Sequence, residues 1–171
     1  MATSSPEKIS FTYNQAIDIV TKELENTKVG QDAGTKITGE RNIILGKETA
    51  FGAIDIEDTI IIGYRIGYNL INSSSNLVYI NNNSLKNIDT DNNSIIIGSE
   101  IGNRIIYNNN NSIIGYNIIN NIESNISDNI IIGSYIGNEL TESFHNTIIG
   151  NYNLNEVISA SNNIYIGMIN T

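Results

Sequence analysis

Glycine at one fixed spacing governs what this chain can fold into. Gly30, Gly46, Gly63, Gly98, Gly115, Gly133, Gly150 and Gly167 form a series whose one gap is filled by Asn81, so nine anchors follow one another at steps of 16, 17, 18, 17, 17, 18, 17 and 17 residues. A period near 17 residues sustained over most of a chain is the signature of a solenoid. A longer period is superimposed on it. The fullest copies, TIIIGYRIGY at 59–68, SIIIGSEIGN at 94–103 and NIIIGSYIGN at 129–138, recur every 35 residues, with shorter relatives between them such as SIIGYNII and TIIGNYNL. Asn is second only to Gly in tolerating a left-handed backbone, so Asn81 suggests that every anchor needs positive φ.

Aligned on the anchors, the chain falls into columns. The three positions before each anchor are apolar in most repeats, as in Ile95-Ile96-Ile97 and Ile130-Ile131-Ile132, and a fourth apolar column stands seven residues after it: Ile37, Ala53, Leu70, Ile88, Ile105, Ile122, Leu140 and Val157. These columns are uncharged and mostly β-branched, which suits strands. Each period is therefore expected to hold two short strands, one ending at the anchor and one centred on the later apolar residue. Polar linkers (INSSSN, IDTDNN, IYNNNN, TESFHN, SASNN) would close the coil with their own side-chain turns. Parallel stacking would let Ile pack on Ile and Asn ladder on Asn, and eight steps at the inter-strand spacing give a rod about 38 Å long.

Alternate strand residues face opposite sides. An unbroken apolar triple implies burial on both faces, yet a thin two-strand coil can cover only one. The expected cover is the same strand of neighbouring chains around a threefold axis, giving a homotrimer.

The N-terminal part reads differently. Residues 1–10 form a polar arm. Thr12 and Gln15 make a capping box for a helix over 12–27, with Tyr13, Ile17, Val20 and Leu24 on one stripe. That helix either caps the solenoid or forms a short coiled-coil stalk. The expected organisation is 1–28 as arm and helix and 29–171 as solenoid. The fold class is all-β: a stacked β-solenoid of 17–18-residue coils with a short N-terminal α-helix, trimeric.

Charge narrows the function classes. The formal net charge is −9, and residues 42–171 carry only four basic groups (Lys47, Arg65, Lys86, Arg104) against 12 acidic ones. This speaks against nucleic acid as a partner. Without cysteine there is no disulfide or thiolate metal site. No 18-residue apolar run and no signal pattern at Met1–Ser10 is present. Membrane insertion and conventional N-terminal export are therefore not expected.

The stretch VGQDAGTKITGERNIILG (Val29–Gly46) resembles the repeats of phage and giant-virus tail-fibre proteins, in which an I-G-x-x-A-G half alternates with a polar turn and an N-x-x-I-G half. Looser copies follow at 62–80, 97–115 and 132–150, where Ile66, Ile101 and Ile136 replace Ala33. The head repeats of trimeric autotransporter adhesins are similar, less closely. The resemblance covers residues 29–171 and implies trimeric fibres for attachment or virion decoration; the self-releasing C-terminal chaperone domain in which many such proteins end is not expected in this chain.

Enzymatic and metal readings lack their residues. A three-histidine zinc site would have to be assembled from His145, the only histidine, across three chains, and His145 sits in a polar linker. Left-handed β-helix acyltransferases need an apolar residue every six positions, but six residues beyond Ile97 and Ile132 stand Asn103 and Asn138. Asp55, Glu57 and Asp58, and separately Asp89 and Asp91, offer hard oxygens for calcium, but the Gly-Gly-Asp repeats of calcium β-rolls are missing. The Thr-x-Thr ranks of ice-binding solenoids are also missing. The glycines are turn anchors rather than phosphate cradles, since no helix follows them. No catalytic, cofactor-binding or metal residue is assigned, and no cofactor. The expected function is a non-enzymatic fibre, spike or surface-decoration protein of a virion, at the virion surface or extracellular. Residues 1–27 would dock it to other virion or surface proteins, and a host glycan or receptor is a possible partner. The alternative is a cell-surface adhesin module.

Overall fold

The computed structural model describes residues 25–68, 70, 74–120 and 124–168. They form a β-solenoid of about eight coils built from two parallel sheets, with no helix among the described residues. Sheet A has nine strands: β1 (Thr27–Val29), β2 (Ile43–Leu45), β4 (Ile60–Tyr64), β6 (Val78–Asn82), β8 (Ile95–Ile101), β10 (Ser112–Ile118), β12 (Ile130–Ile136), β14 (Thr147–Asn151) and β16 (Ile164–Ile166). Sheet B has seven: β3 (Ile56–Glu57), β5 (Ser74–Ser75), β7 (Thr90–Asn92), β9 (Ile105–Asn109), β11 (Ser124–Ser127), β13 (Glu142–Phe144) and β15 (Ser159–Ser161). The solenoid is thus under way by Thr27. The helix expected over 12–27 lies outside the described residues except for its last three, and these are not helical: Glu25 has φ 57° and Thr27 opens β1.

Sheet A sits where the apolar triple placed it, and its register follows the anchors: Gly63 pairs with Asn81, Asn81 with Gly98, and Gly115 with both Gly98 and Gly133. The middle residue of each triple points inward, so Ile44, Ile61, Tyr79, Ile96, Ile113, Ile131 and Ile148 form the spine of the core.

Sheet B is three residues away from its expected centre. The apolar column seven past each anchor is indeed buried, as at Ala53, Leu70, Ile88 and Leu140, but mostly as a corner rather than a strand. The strands lie in the segments read as polar linkers. Their inward positions are Ile56, Ser74, Asp91, Asn108, Ile126, Ser143 and Ala160, all buried. Polar side chains can occupy this column because the neighbouring coils satisfy them.

The reason for polar residues inside is a second column, four before each anchor: Asn26, Asn42, Thr59, Leu77, Ser94, Asn111, Asn129, Asn146 and Asn163. The oxygens of Asn26, Asn42, Asn111, Asn129 and Asn146 each accept the backbone N–H of the counterpart one coil on, as from Asn129 to Asn111 (2.9 Å) and from Asn146 to Asn129 (3.0 Å). Amide groups of this column donate to backbone carbonyls of sheet B, as from Asn129 to Ser143 (2.7 Å) and from Asn146 to Ala160 (2.8 Å). Buried amides so saturated stitch the two sheets together at little net desolvation cost.

Three backbone positions per coil turn the corners in the left-handed region. Five before the anchor stand Glu25, Arg41, Asp58, Asn76, Asn93, Asn110, Asp128, His145 and Asn162, all with φ between 52° and 60°. Two and four after it lie such pairs as Arg65 with Gly67 and Glu100 with Gly102. The anchor glycines themselves are more extreme, with φ 145° at Gly98, where an added Cβ would stand 1.8 Å from the carbonyl oxygen of Gly115 in the next coil. The anchor column thus excludes a Cβ by close approach of the next coil as well as by φ. Asn81 is the exception by a different route than tolerance of positive φ. It is not among the positive-φ residues, and its amide turns inward to donate to the Ile96 carbonyl at 2.7 Å.

The 35-residue period has a packing origin. Three and four residues past the anchors stand Ile66-Gly67, Ser84-Leu85, Ile101-Gly102, Ile136-Gly137 and Asn153-Leu154. From Gly63 onward, where the fourth position is glycine the third is isoleucine, and where it is leucine the third is Ser84 or Asn153; the first two coils carry Ala33-Gly34 and Thr49-Ala50 instead. A Cβ on Gly102 would meet the side chains of Ile105 at 2.5 Å and Leu85 at 3.0 Å, so one coil's leucine occupies the volume its neighbour's glycine leaves open. Ile118-Ile119 departs from the rule, and the β-branched Ile119 carries φ 47°.

Candidate functional site

Three features remain once the scaffold is accounted for. The first is the outer face of sheet A. The first and third residues of the apolar triple point outward, and Ile43, Ile80, Ile95, Ile114, Ile130, Ile132 and Ile149 are exposed by 37 to 46%. The third position gives an unbroken apolar column along the rod, the first a second column beside it that Ser112 and Thr147 interrupt, and no segment among the described residues crosses them.

The second is a buried polar cluster in the coil of Asn81, which breaks three columns at once. Leu77 interrupts the asparagine ladder, Tyr79 replaces isoleucine in the spine, and Asp91 is the only acid in the inward column of sheet B. Tyr79 and Asp91 are fully buried. The Asp91 carboxylate accepts hydrogen bonds from the Tyr79 hydroxyl, from Ser94 Oγ at 2.7 Å and from Asn108 Nδ2 at 2.5 Å. Burial pushes the Asp91 carboxyl up to about 7, against the opposing effect of these three donors. Burial, with Asp91 beside it, holds the Tyr79 phenol well above its ordinary value. The tyrosine therefore keeps its proton and donates it, and the site is a proton-holding element of the core with no opening to solvent.

The third is the corner one to six residues beyond the anchors in the first coils. Arg65 Nε donates to Glu48 at 2.7 Å, and the guanidinium lies 5.1 Å over the Tyr64 ring. That hydrogen bond holds the Glu48 carboxyl below its usual range. Phe51 and Tyr68 stack with ring centres 5.1 Å apart. Farther along the same corner Tyr135 lies flat on Tyr152 at 5.0 Å and meets the edge of Tyr116 at 5.4 Å. A cavity of about 330 Å³ opens beside Tyr68, lined among the described residues by Glu48, Arg65, Lys86 and Asn87.

The anchors Gly30, Gly46, Gly63, Asn81, Gly98, Gly115, Gly133, Gly150 and Gly167 lie in one column and are scaffold rather than site. His145 sits on an exposed corner with Nε2 3.8 Å from Asp128 Oδ2. Of the acids considered for calcium, Asp58 is engaged by Arg41 at 2.6 and 2.9 Å, and Glu57 is 3.4 Å from the same guanidinium. Asp55 and Glu57 border an open depression with Ser74, Ser75 and Asn92, whereas Asp91 points into the core. No group of three or more His, Cys, Asp or Glu side chains among the described residues converges on a metal position. No helix there is long and apolar enough to cross a membrane. Sequence reasoning missed the Tyr79–Asp91 pair, although the simultaneous loss of three column consensus residues in one coil marks it. Compared with protein-family models, curated proteins and solved structures, the chain finds no match.

Proposed function

We propose that this chain is a non-enzymatic fibre segment, in which sheet A of three copies meets around a threefold axis to give a spike or decoration on a virion surface. The observation that carries it is the uncovered isoleucine stripe. Nine rungs at the inter-strand spacing make it about 38 Å long, and an apolar strip of that length on a lone chain favours association. Its narrowness favours three copies over two: a ridge two side chains wide converges well on an axis, whereas a face-to-face pair needs breadth. The resemblance of Val29–Gly46 to tail-fibre repeats supports the virion setting, with residues 1–27 as the docking arm.

The test is solution mass. Three chains of 18.8 kDa give 56.4 kDa (3 × 18.8), which sedimentation equilibrium separates from one or two. Ile114→Asp and Ile132→Asp put charges on the outer face only, so each should keep the β-type circular dichroism spectrum while the mass falls to one chain. A parent that sediments as a monomer, or variants that remain trimeric, would overturn the threefold assembly.

A further inference from the structure

The corner beside Tyr68 differs in charge from the rest of this acidic rod. One to six residues past the first four anchors stand Lys36, Lys47, Arg65 and Lys86 against Asp32 and Glu48, a net of +2 (4 − 2). The same positions past Gly98, Gly115, Gly133 and Gly150 hold Arg104 against Glu100, Glu139 and Glu156, a net of −2 (1 − 3). A local positive patch on a chain of net charge −9 concentrates anions at one end of one edge.

The patch is also shaped. Five residues past the anchors the side chains run Phe51, Tyr68, Lys86 in successive coils. Phe51 covers one face of Tyr68, and where the aromatic stack gives way to a slender lysine the 330 Å³ cavity opens. That volume lies at the small end of ligand pockets. Arg65 is fixed from behind through Nε by Glu48, and its two Nη groups make no hydrogen bond among the described residues. Lys86 has no carboxylate partner there either. A guanidinium held by one edge presents a planar fork suited to a carboxylate, and the free face of a tyrosine suits a flat, partly apolar ring.

We propose that this corner binds a terminal sugar acid, with the pyranose ring against Tyr68 and its carboxylate between the Arg65 Nη groups and the Lys86 ammonium. A single charge on a single ring matches the patch. An extended polyanion such as nucleic acid would run onward along the rod into the net negative coils. The site rests on the reading of the chain as a binding and structural module and is independent of its assembly: a monomer that binds leaves it standing, and a trimer that does not bind removes only this site.

The experiment is amide-shift titration of the full chain with methyl glucuronide, the methyl glycoside of N-acetylneuraminic acid, methyl glucoside and inorganic phosphate. At least one of the two sugar acids should shift amides of the Gly63 and Asn81 coils, with methyl glucoside and phosphate much weaker. Lys86→Gln should weaken that binding about tenfold, the loss of one charge-assisted contact, with its melting unchanged, and Tyr68→Ala should weaken it as well. Absence of shifts with both sugar acids, equal binding of methyl glucoside or phosphate, or sugar-acid binding indifferent to Lys86→Gln would each overturn the proposal. Lys86 is a surface side chain, so its variant decides the matter even where Tyr68→Ala perturbs folding.

Discussion

Replacing Asp91 by asparagine should make the protein more stable at alkaline pH, an outcome opposite to that of most core substitutions. In the folded chain burial raises the Asp91 carboxyl to about 7, whereas in the unfolded chain it titrates near its ordinary value of about 3.9. Between those values the folded state holds a proton that the unfolded state releases. Stability therefore falls as pH rises through this window and levels off above the folded value. A shift of about three units at roughly 1.4 kcal/mol each corresponds to about 4 kcal/mol by pH 8. Asparagine keeps the neutral shape, with its oxygen in the Oδ2 position accepting from Tyr79 and Asn108 and its amide N–H turned to donate to Ser94 Oγ, and it does not ionise, so the variant loses this slope. The assay is urea unfolding of parent and Asp91→Asn followed by circular dichroism from pH 4.5 to 8.5 at one fixed protein concentration. The other carboxylates are common to both and cancel in the difference. Curves for the two proteins that run parallel across the range, or a variant less stable than the parent at pH 8, would refute the assignment of a protonated Asp91 to the core.

Other substitutions separate the roles of neighbouring residues. Ile131→Asp should abolish folding, because it puts an unpaired charge in the spine one residue from Ile132, whose own aspartate variant folds; circular dichroism of the two side by side checks the phase of the strand. Gly98→Val should destabilise severely, by several kcal/mol, since both φ and the Gly115 carbonyl oppose a Cβ; an unchanged melting temperature would mean that the coils do not approach so closely. Asn129→Leu, which copies the natural Leu77, should cost about 2–4 kcal/mol, because the Asn146 N–H and the Ser127 and Ser143 carbonyls each lose a partner in the interior; thermal unfolding of the variant reads the loss directly.

How much of this was legible in the sequence differs between the two sheets. Sheet A could be placed because its inward residues are isoleucines beside glycines, an apolar signal in fixed phase. Sheet B was displaced by three residues because its inward column holds Ser74, Asp91, Asn108 and Ser143, which no hydrophobic pattern marks as core. These side chains are buried because the asparagine ladder and adjacent strands saturate them, a property of stacked coils rather than of any one segment. The ladder left a trace, since asparagine fills six of the nine positions four before the anchors. Position alone could not tell a solvated turn from a buried amide column. The basic corner was hidden for a similar reason: Lys36, Lys47, Arg65 and Lys86 are scattered over 51 residues (86 − 36 + 1) and converge only when four coils are stacked.

The alternation of Ile-Gly with Ser-Leu or Asn-Leu pairs fixes the unit in which such a rod can change length. Removal of a single coil would set glycine beside glycine, leaving a void, or leucine against isoleucine, overfilling it. Removal or duplication of two coils would keep the glycine–leucine alternation in step. Lengthening and shortening by unequal exchange should therefore proceed in blocks of 35 residues, and related rods should differ in height by whole pairs of rungs, about 10 Å at a time.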